Sequence, residues 1–140
     1  PNPRAAMVAV TSDPQFICPS RRTVRAVREH QPDVYRYFFT HTQPPPFGSR
    51  GAFHGLELAY LFQLIDDLPN ARSADRSVER AFLDYWTSFA ATGEPSSSAQ
   101  WPRYEPTRDL TLELASPVTV LEGIRTRRCD FWDSLALIRR

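Results

Sequence analysis

Among the residues able to do acid–base or metal chemistry, His54 has the most suggestive setting. Glycines stand at Gly51 and Gly55, a long polar and proline-rich stretch precedes it, and an apolar segment follows. Flanking glycines let the backbone take unusual angles and approach another group closely. A neutral imidazole takes a proton from a hydroxyl and later returns it, and such groups concentrate on loops carried by a rigid scaffold. A histidine that only hydrogen-bonds a loop carbonyl fits the same position, so residue type and flanks leave both roles open. Metal binding by His54 with Glu57 and either His30 or His41 is a weaker reading. Those spacings match no ligand pattern, and the two cysteines, Cys18 and Cys129, stand far apart in the chain. Neither a metal nor a cofactor is implied.

The elements that must position His54 are short and legible. Residues 34–40 (VYRYFFT) are β-branched and aromatic, which predicts a strand buried on most of both sides, as in a parallel or mixed sheet. A loop over about residues 40–53 follows, and loops longer than about 12 residues are usually functional or disordered. Residues 55–65 (GLELAYLFQLI) are apolar nearly all round apart from Glu57 and Gln63, which predicts a buried helix. A second helix over about 74–92 places Val78, Phe82, Tyr85, Trp86 and Phe89 on one stripe, and Gly93 with Pro95 stops it.

Elsewhere the patterns are weaker. Residues 7–10 and Phe16-Ile17 are short apolar stubs. Ser20 reads as the N-cap of a helix carrying Val24, Ala26 and Val27, which Pro32 ends and which leaves Arg21, Arg22, Arg25 and Arg28 largely on its wet face. Leu110, Leu112 and Leu114 alternate with polar residues as in a strand buried on one face, and residues 118–121 suggest another. Phe131, Leu135 and Ile138 repeat at helical spacing in a last helix over about 130–140, beside an arginine cluster (Arg125, Arg127, Arg128) read as a solvated face. Strands interleaved with helices point to an α/β or α+β sheet unit.

Composition excludes several function classes. The 140 residues suffice for about one domain, and no shift in composition divides them. Hydrophobic residues make up 41% and charged residues 24%, ordinary for a globular chain and too apolar for a disordered one. The net charge of +1 gives no broad field for nucleic acid, and the cluster of Tyr35, Tyr37, Phe38 and Phe39 reads as core because no basic stripe accompanies it. Every basic residue is arginine, which reads as a coding bias rather than as chemistry. No signal peptide and no membrane span is expected within the chain.

The block from Gly51 to Phe62 (GAFHGLELAYLF) resembles the catalytic-histidine block of the type-B carboxylesterases, the family of cholinesterases and para-nitrobenzyl esterases. Four further blocks appear in that family's order. Phe16-Ile17-Cys18-Pro19-Ser20 is similar to the upstream Cys-Pro segment, and Val34-Tyr35-Arg36-Tyr37-Phe38 to the strand before the histidine loop. Residues 85–95 (YWTSFAATGEP), followed by Trp101-Pro102, resemble the Trp-x-x-Phe-Ala-x-Thr-Gly-x-Pro signature. Cys129-Asp130-Phe131-Trp132 resembles the terminal Cys-x-Phe-Trp. The resemblance implies an α/β-hydrolase fold and hydrolysis of carboxylic esters by a Ser–Glu–His triad. It assigns His54 as the triad base, with Glu57 and Gly55 beside it. Glu57 would support the polar network of the site, and it is equally suited to a carboxylate at a helix start.

The departures bound that implication. A nucleophile elbow needs G-x-S-x-G, yet the only two glycines four apart, Gly51 and Gly55, enclose Phe53. The residues 1–140 are therefore expected to be one segment, the C-terminal part of such a hydrolase, whose serine and glutamate lie outside it, and the isolated chain is expected to be inactive. The resemblance also pairs Cys18 with Cys129. A bridge closing about 100 residues contributes about 4.7 kcal/mol in the chain-entropy model. Two buried free thiols are the alternative. A disulfide in this family implies a secreted or periplasmic location. The expected partners are an ester substrate and either the missing N-terminal part of the esterase or a second copy, since an open sheet edge invites association. A non-catalytic interaction module with the same fold, or a truncated self-associating fragment, is the competing reading.

Overall fold

The computed structural model describes residues 2–45, 47–67, 70–97 and 99–138, with the side chains of residues 47, 49 and 136–138 left out. The end of the expected last helix, residues 139 and 140, and the side chain of Ile138 lie outside the described residues.

The N-terminal region is more helical than its prolines suggest. Helix α1 (Pro3–Ser12) begins at Asn2, whose side-chain oxygen accepts from the Arg4 and Ala5 amides, with Pro3 in the first position where its missing N–H costs nothing. A π-helical turn over Asp13–Ile17 leads directly into α2 (Cys18–Arg28). The stubs at residues 7–10 and 16–17 are thus parts of one helical run. Ser20 is not its cap: Ile17 before α2 is already helical, and Pro14 and Pro19 each occupy a first-turn position that tolerates proline.

Strand β1 (Tyr37–Phe39) pairs in parallel with β2 (Thr111–Leu114), setting Tyr37 opposite Leu112 and Phe39 opposite Leu114, and β2 pairs antiparallel with β3 (Thr119–Leu121). The ladder extends beyond the three-residue strand, because Leu112 donates to the Arg36 carbonyl at 2.9 Å and Thr40 to that of Leu114 at 3.2 Å. Between β1 and β2 the chain passes through α3 (Leu56–Leu61) and α4 (Ser73–Thr92), which Gly93 ends in a left-handed conformation. Leu56, Tyr60, Val78, Phe82 and Tyr85 from these helices meet Leu112, Leu114 and Trp101 in one buried cluster. Tyr37 and Trp86 pack against it and meet each other edge to face, with ring centroids 5.2 Å apart.

Four further expectations need correction. Strand β2 is covered on both faces, because Thr111 is buried and its hydroxyl accepts from Arg36, itself paired with buried Asp109 at 3.1 Å. The 55–65 segment is not a fully buried helix. Leu56, Tyr60 and Ile65 are buried in the core, with Ala59 and Leu61 packed against it; α3 ends after six residues, with Gln63 left-handed and the Leu64 amide reaching back to the Ala59 carbonyl. Leu58, Phe62 and Leu64 stand exposed, because the described chain supplies cover for one side only. Phe89 is likewise 46% exposed at the end of its stripe.

The fourth correction concerns the arginines. Arg21 is buried and donates to Asp130 and Asp133, both at 2.7 Å, on α5 (Thr126–Ile138), whereas Arg25 and Arg28 donate to Tyr104. Arg125 pairs with buried Asp13 at 2.8 Å and Arg128 does so at 3.5 Å, while Arg127 and Arg128 stay exposed as read. A disulfide joins Cys18 to Cys129 amid these ion pairs, closing a sequence separation of 111. Replacing both cysteines by alanine is expected to lower unfolding stability in urea by about 2–5 kcal/mol, as for other native bridges. An unchanged midpoint would show that the bridge does not constrain the unfolded chain.

Candidate functional site

His54 stands on a turn just before α3, at the end of the loop that leaves β1. Gly51 and Gly55 have φ of 71° and 91°, so both positions adopt the left-handed backbone that favours glycine. The imidazole is exposed and lies nearly parallel to the ring of Phe16, with centroids 4.6 Å apart and planes inclined at 24°. Glu57 is half-buried in the first turn of α3. Its carboxylate accepts the Gly55 amide at 2.9 Å, which fixes the residue immediately after the histidine. Among the described residues, no carboxylate or hydroxyl is hydrogen-bonded to the His54 ring.

The other histidines are placed differently. His30 is exposed at the end of α2, and His41 is buried at the start of the loop, so neither meets His54 and Glu57. Among the described residues, no group of three or more His, Cys, Asp or Glu side chains is arranged to hold a metal ion.

Sequence reasoning missed the centre that anchors this loop. His41 approaches Asp75 with Nε2 at 2.6 Å from Oδ1, and Asp75 is fully buried in the first turn of α4. The same oxygen accepts from the side chains of Gln43 and Tyr60, each at 3.2 Å, and Gln43 donates to the Tyr60 hydroxyl as well. Oδ2 accepts the backbone amide of Arg72 at 2.6 Å and its Nε at 3.1 Å. Arg72 in turn donates to the Thr42 carbonyl at 2.7 Å. The only sequence signal was an acidic residue near the start of a helix, which ordinarily marks a solvated carboxylate.

Burial alone pushes the Asp75 carboxyl up. The hydrogen bonds from Arg72 and His41 outweigh it and hold the group at about 2, below its ordinary 3.8. Burial, reinforced by the neighbouring carboxylate, pushes the Tyr60 phenol upward, so it remains a donor.

Helices α3 and α4 pack on one face of this small mixed sheet, and a glycine-flanked histidine follows its first strand. That is the arrangement of a segment of an α/β-hydrolase. The chain belongs to the carboxylesterase family, whose model matches residues 2–132. It is 28% identical to the acetylcholinesterase of Bungarus fasciatus, over 93% of this chain and 23% of that protein. It is 29% identical to the acetylcholinesterase of Gallus gallus, over 92% of this chain and 18% of that protein. Among solved structures, a PNB esterase superposes with a TM-score of 0.62 at 29% identity, covering 71% of this chain and 21% of the other. A thermophilic PNB esterase superposes with a TM-score of 0.64 at 28% identity, covering 71% and 22%. The chain thus spans less than a quarter of the length of these relatives. Among the described residues, no helix is long and apolar enough to cross a membrane.

Asp75 also has a consequence for acid stability. Its folded carboxyl lies below the ordinary value, so its contribution is present in full above about pH 4 and is lost as pH falls towards 2. The contribution is about 2 kcal/mol, from a shift of nearly two pH units. Urea titrations of the Asp75→Asn variant are expected to show a correspondingly shallower loss of stability between pH 4 and pH 2. An acid limb identical to that of the parent chain would exclude Asp75 as a contributor.

Proposed function

We propose that this chain contributes His54 as the general base of ester hydrolysis by a Ser–Glu–His triad, with the serine and the triad glutamate supplied by residues outside it. The observation that carries this reading is the presentation of His54: an exposed imidazole on a left-handed, glycine-flanked turn, within the block that resembles the family's catalytic histidine. In the first half-reaction the imidazole accepts the serine hydroxyl proton as the oxygen attacks the ester carbonyl. It then returns the proton to the departing alcohol as the carbon–oxygen bond breaks. A carboxylate on the other ring nitrogen would hold the tautomer, and deacylation repeats the exchange with water. Glu57 contributes by holding the Gly55 amide, which keeps the turn closed behind the ring.

The substrate class is a carboxylic ester. The partner is the remainder of the hydrolase, for which the uncovered apolar side chains speak: Met7, Val8 and Val10 on α1, and Leu58, Phe62 and Leu64 at α3. Self-association of the chain is the outcome if that remainder is withheld. The Cys18–Cys129 disulfide favours a secreted or periplasmic location, where such bonds persist.

A p-nitrophenyl ester assay tests the assignment. The chain alone is expected to give no turnover above its His54→Ala variant. Produced together with the residues preceding it in its reading frame, it is expected to hydrolyse the ester, and His54→Ala should lower kcat by at least about 10,000-fold. Hydrolysis that survives His54→Ala in the longer polypeptide would remove His54 from the mechanism.

A further inference from the structure

Asp75 spends its two oxygens on different parts of the molecule. Oδ2 closes the start of its own helix through Arg72, whereas Oδ1 gathers His41, Gln43 and Tyr60, with a longer contact of 3.4 Å from the same Arg72 guanidinium. These last three residues bracket His54. His41 and Gln43 lie where the chain leaves β1, and Tyr60 lies on α3, beyond the histidine. Arg72 adds a further tether to the same root through the Thr42 carbonyl.

Between these tethers the backbone bonds are internal to the loop. The Gly48 amide donates to the Pro44 carbonyl, and that of Gly51 to Gly48. Gly48 packs so closely on Gln43 that a Cβ there would sit 1.8 Å from the Gln43 carbonyl oxygen, so a shift of Gln43 carries the turn with it. A carboxylate enclosed in this way sits far deeper than helix capping requires, and a buried one is tolerated only where its donors are held in place.

We propose that Asp75 is the positioning residue of the histidine loop: by binding both of its roots to one buried carboxylate, it fixes where His54 is presented. The significance for catalysis rests on His54 being the base. The positional claim itself is read without any hydrolysis, so the two fail separately.

The test is NMR spectroscopy of the full chain. The His54 ring proton Hε1, identified by its loss in His54→Gln, reports the stacking on Phe16, whose ring current displaces it. The Trp101 indole N–H, which donates to the Arg36 carbonyl at 3.1 Å, reports the sheet. In Asp75→Asn the His54 signal is expected to move to its position in Phe16→Leu while the Trp101 signal stays. Trypsin cleavage after the exposed Arg50 is expected to become at least about tenfold faster, because it follows the population of the open loop.

An unmoved His54 signal and unchanged Arg50 cleavage, with Trp101 native, would overturn the proposal. If Asp75→Asn loses the Trp101 signal as well, the decision passes to Gln43→Leu combined with Tyr60→Phe. That variant removes one donor from each root and leaves the carboxylate paired with Arg72 and His41. A displaced His54 signal with native Trp101 there supports the hub. An unmoved one, or loss of Trp101 too, overturns it.

Discussion

The architecture around His54 depends on a carboxylate that water cannot reach. A buried, ionised aspartate is costly unless its oxygens are filled with donors, and Asp75 fills them from three places in the chain at once. The start of α4, the exit from β1 and the outer turn of α3 therefore cannot settle independently. The same side chain that completes the first turn of α4 also sets the separation between the sheet and the helix on either side of the histidine turn.

A second set of charges governs the opposite side of the sheet. Asp13 in the π-helical turn accepts from Arg125 and Arg128, and Arg21 reaches Asp130 and Asp133, so α5 is clamped to the N-terminal helical run by ion pairs flanking the disulfide. The π-helical turn brings Asp13 to face Arg125, and Phe16, from the same turn, stacks on His54. The clamp and the candidate base are linked through five consecutive residues.

Much of the fold was legible because local signals and tertiary outcome agree. The stripe of Val78, Phe82 and Tyr85 and the stop at Gly93 define α4 as read, and Leu112 and Leu114 point inward as their alternation implies. Legibility failed where tertiary context overrides local preference. Pro14 and Pro19 look like breaks and are first-turn residues of consecutive helical turns; the arginines of α2 look solvated, and all four of them find partners elsewhere in the chain. The apolar all-round pattern at 55–65 describes a helix covered on every side, and the described chain covers one side. For the candidate site, the glycines and the motif block single out His54 in the sequence. Asp75 was not, because nothing local distinguishes a hub from an ordinary N-terminal carboxylate; its donors are brought together only by the fold.

The chain carries two histidines in the same loop region, one buried on a carboxylate and one exposed on a phenylalanine, and their roles are separable in a single structure. In a crystal of the longer polypeptide whose nucleophilic serine carries a phosphonate, His54 Nε2 should lie within about 2.6–3.2 Å of the serine Oγ, with His41 still bound to Asp75. A serine that instead faces His41, or that has no histidine of this chain within reach, would contradict the assignment of His54 as the base.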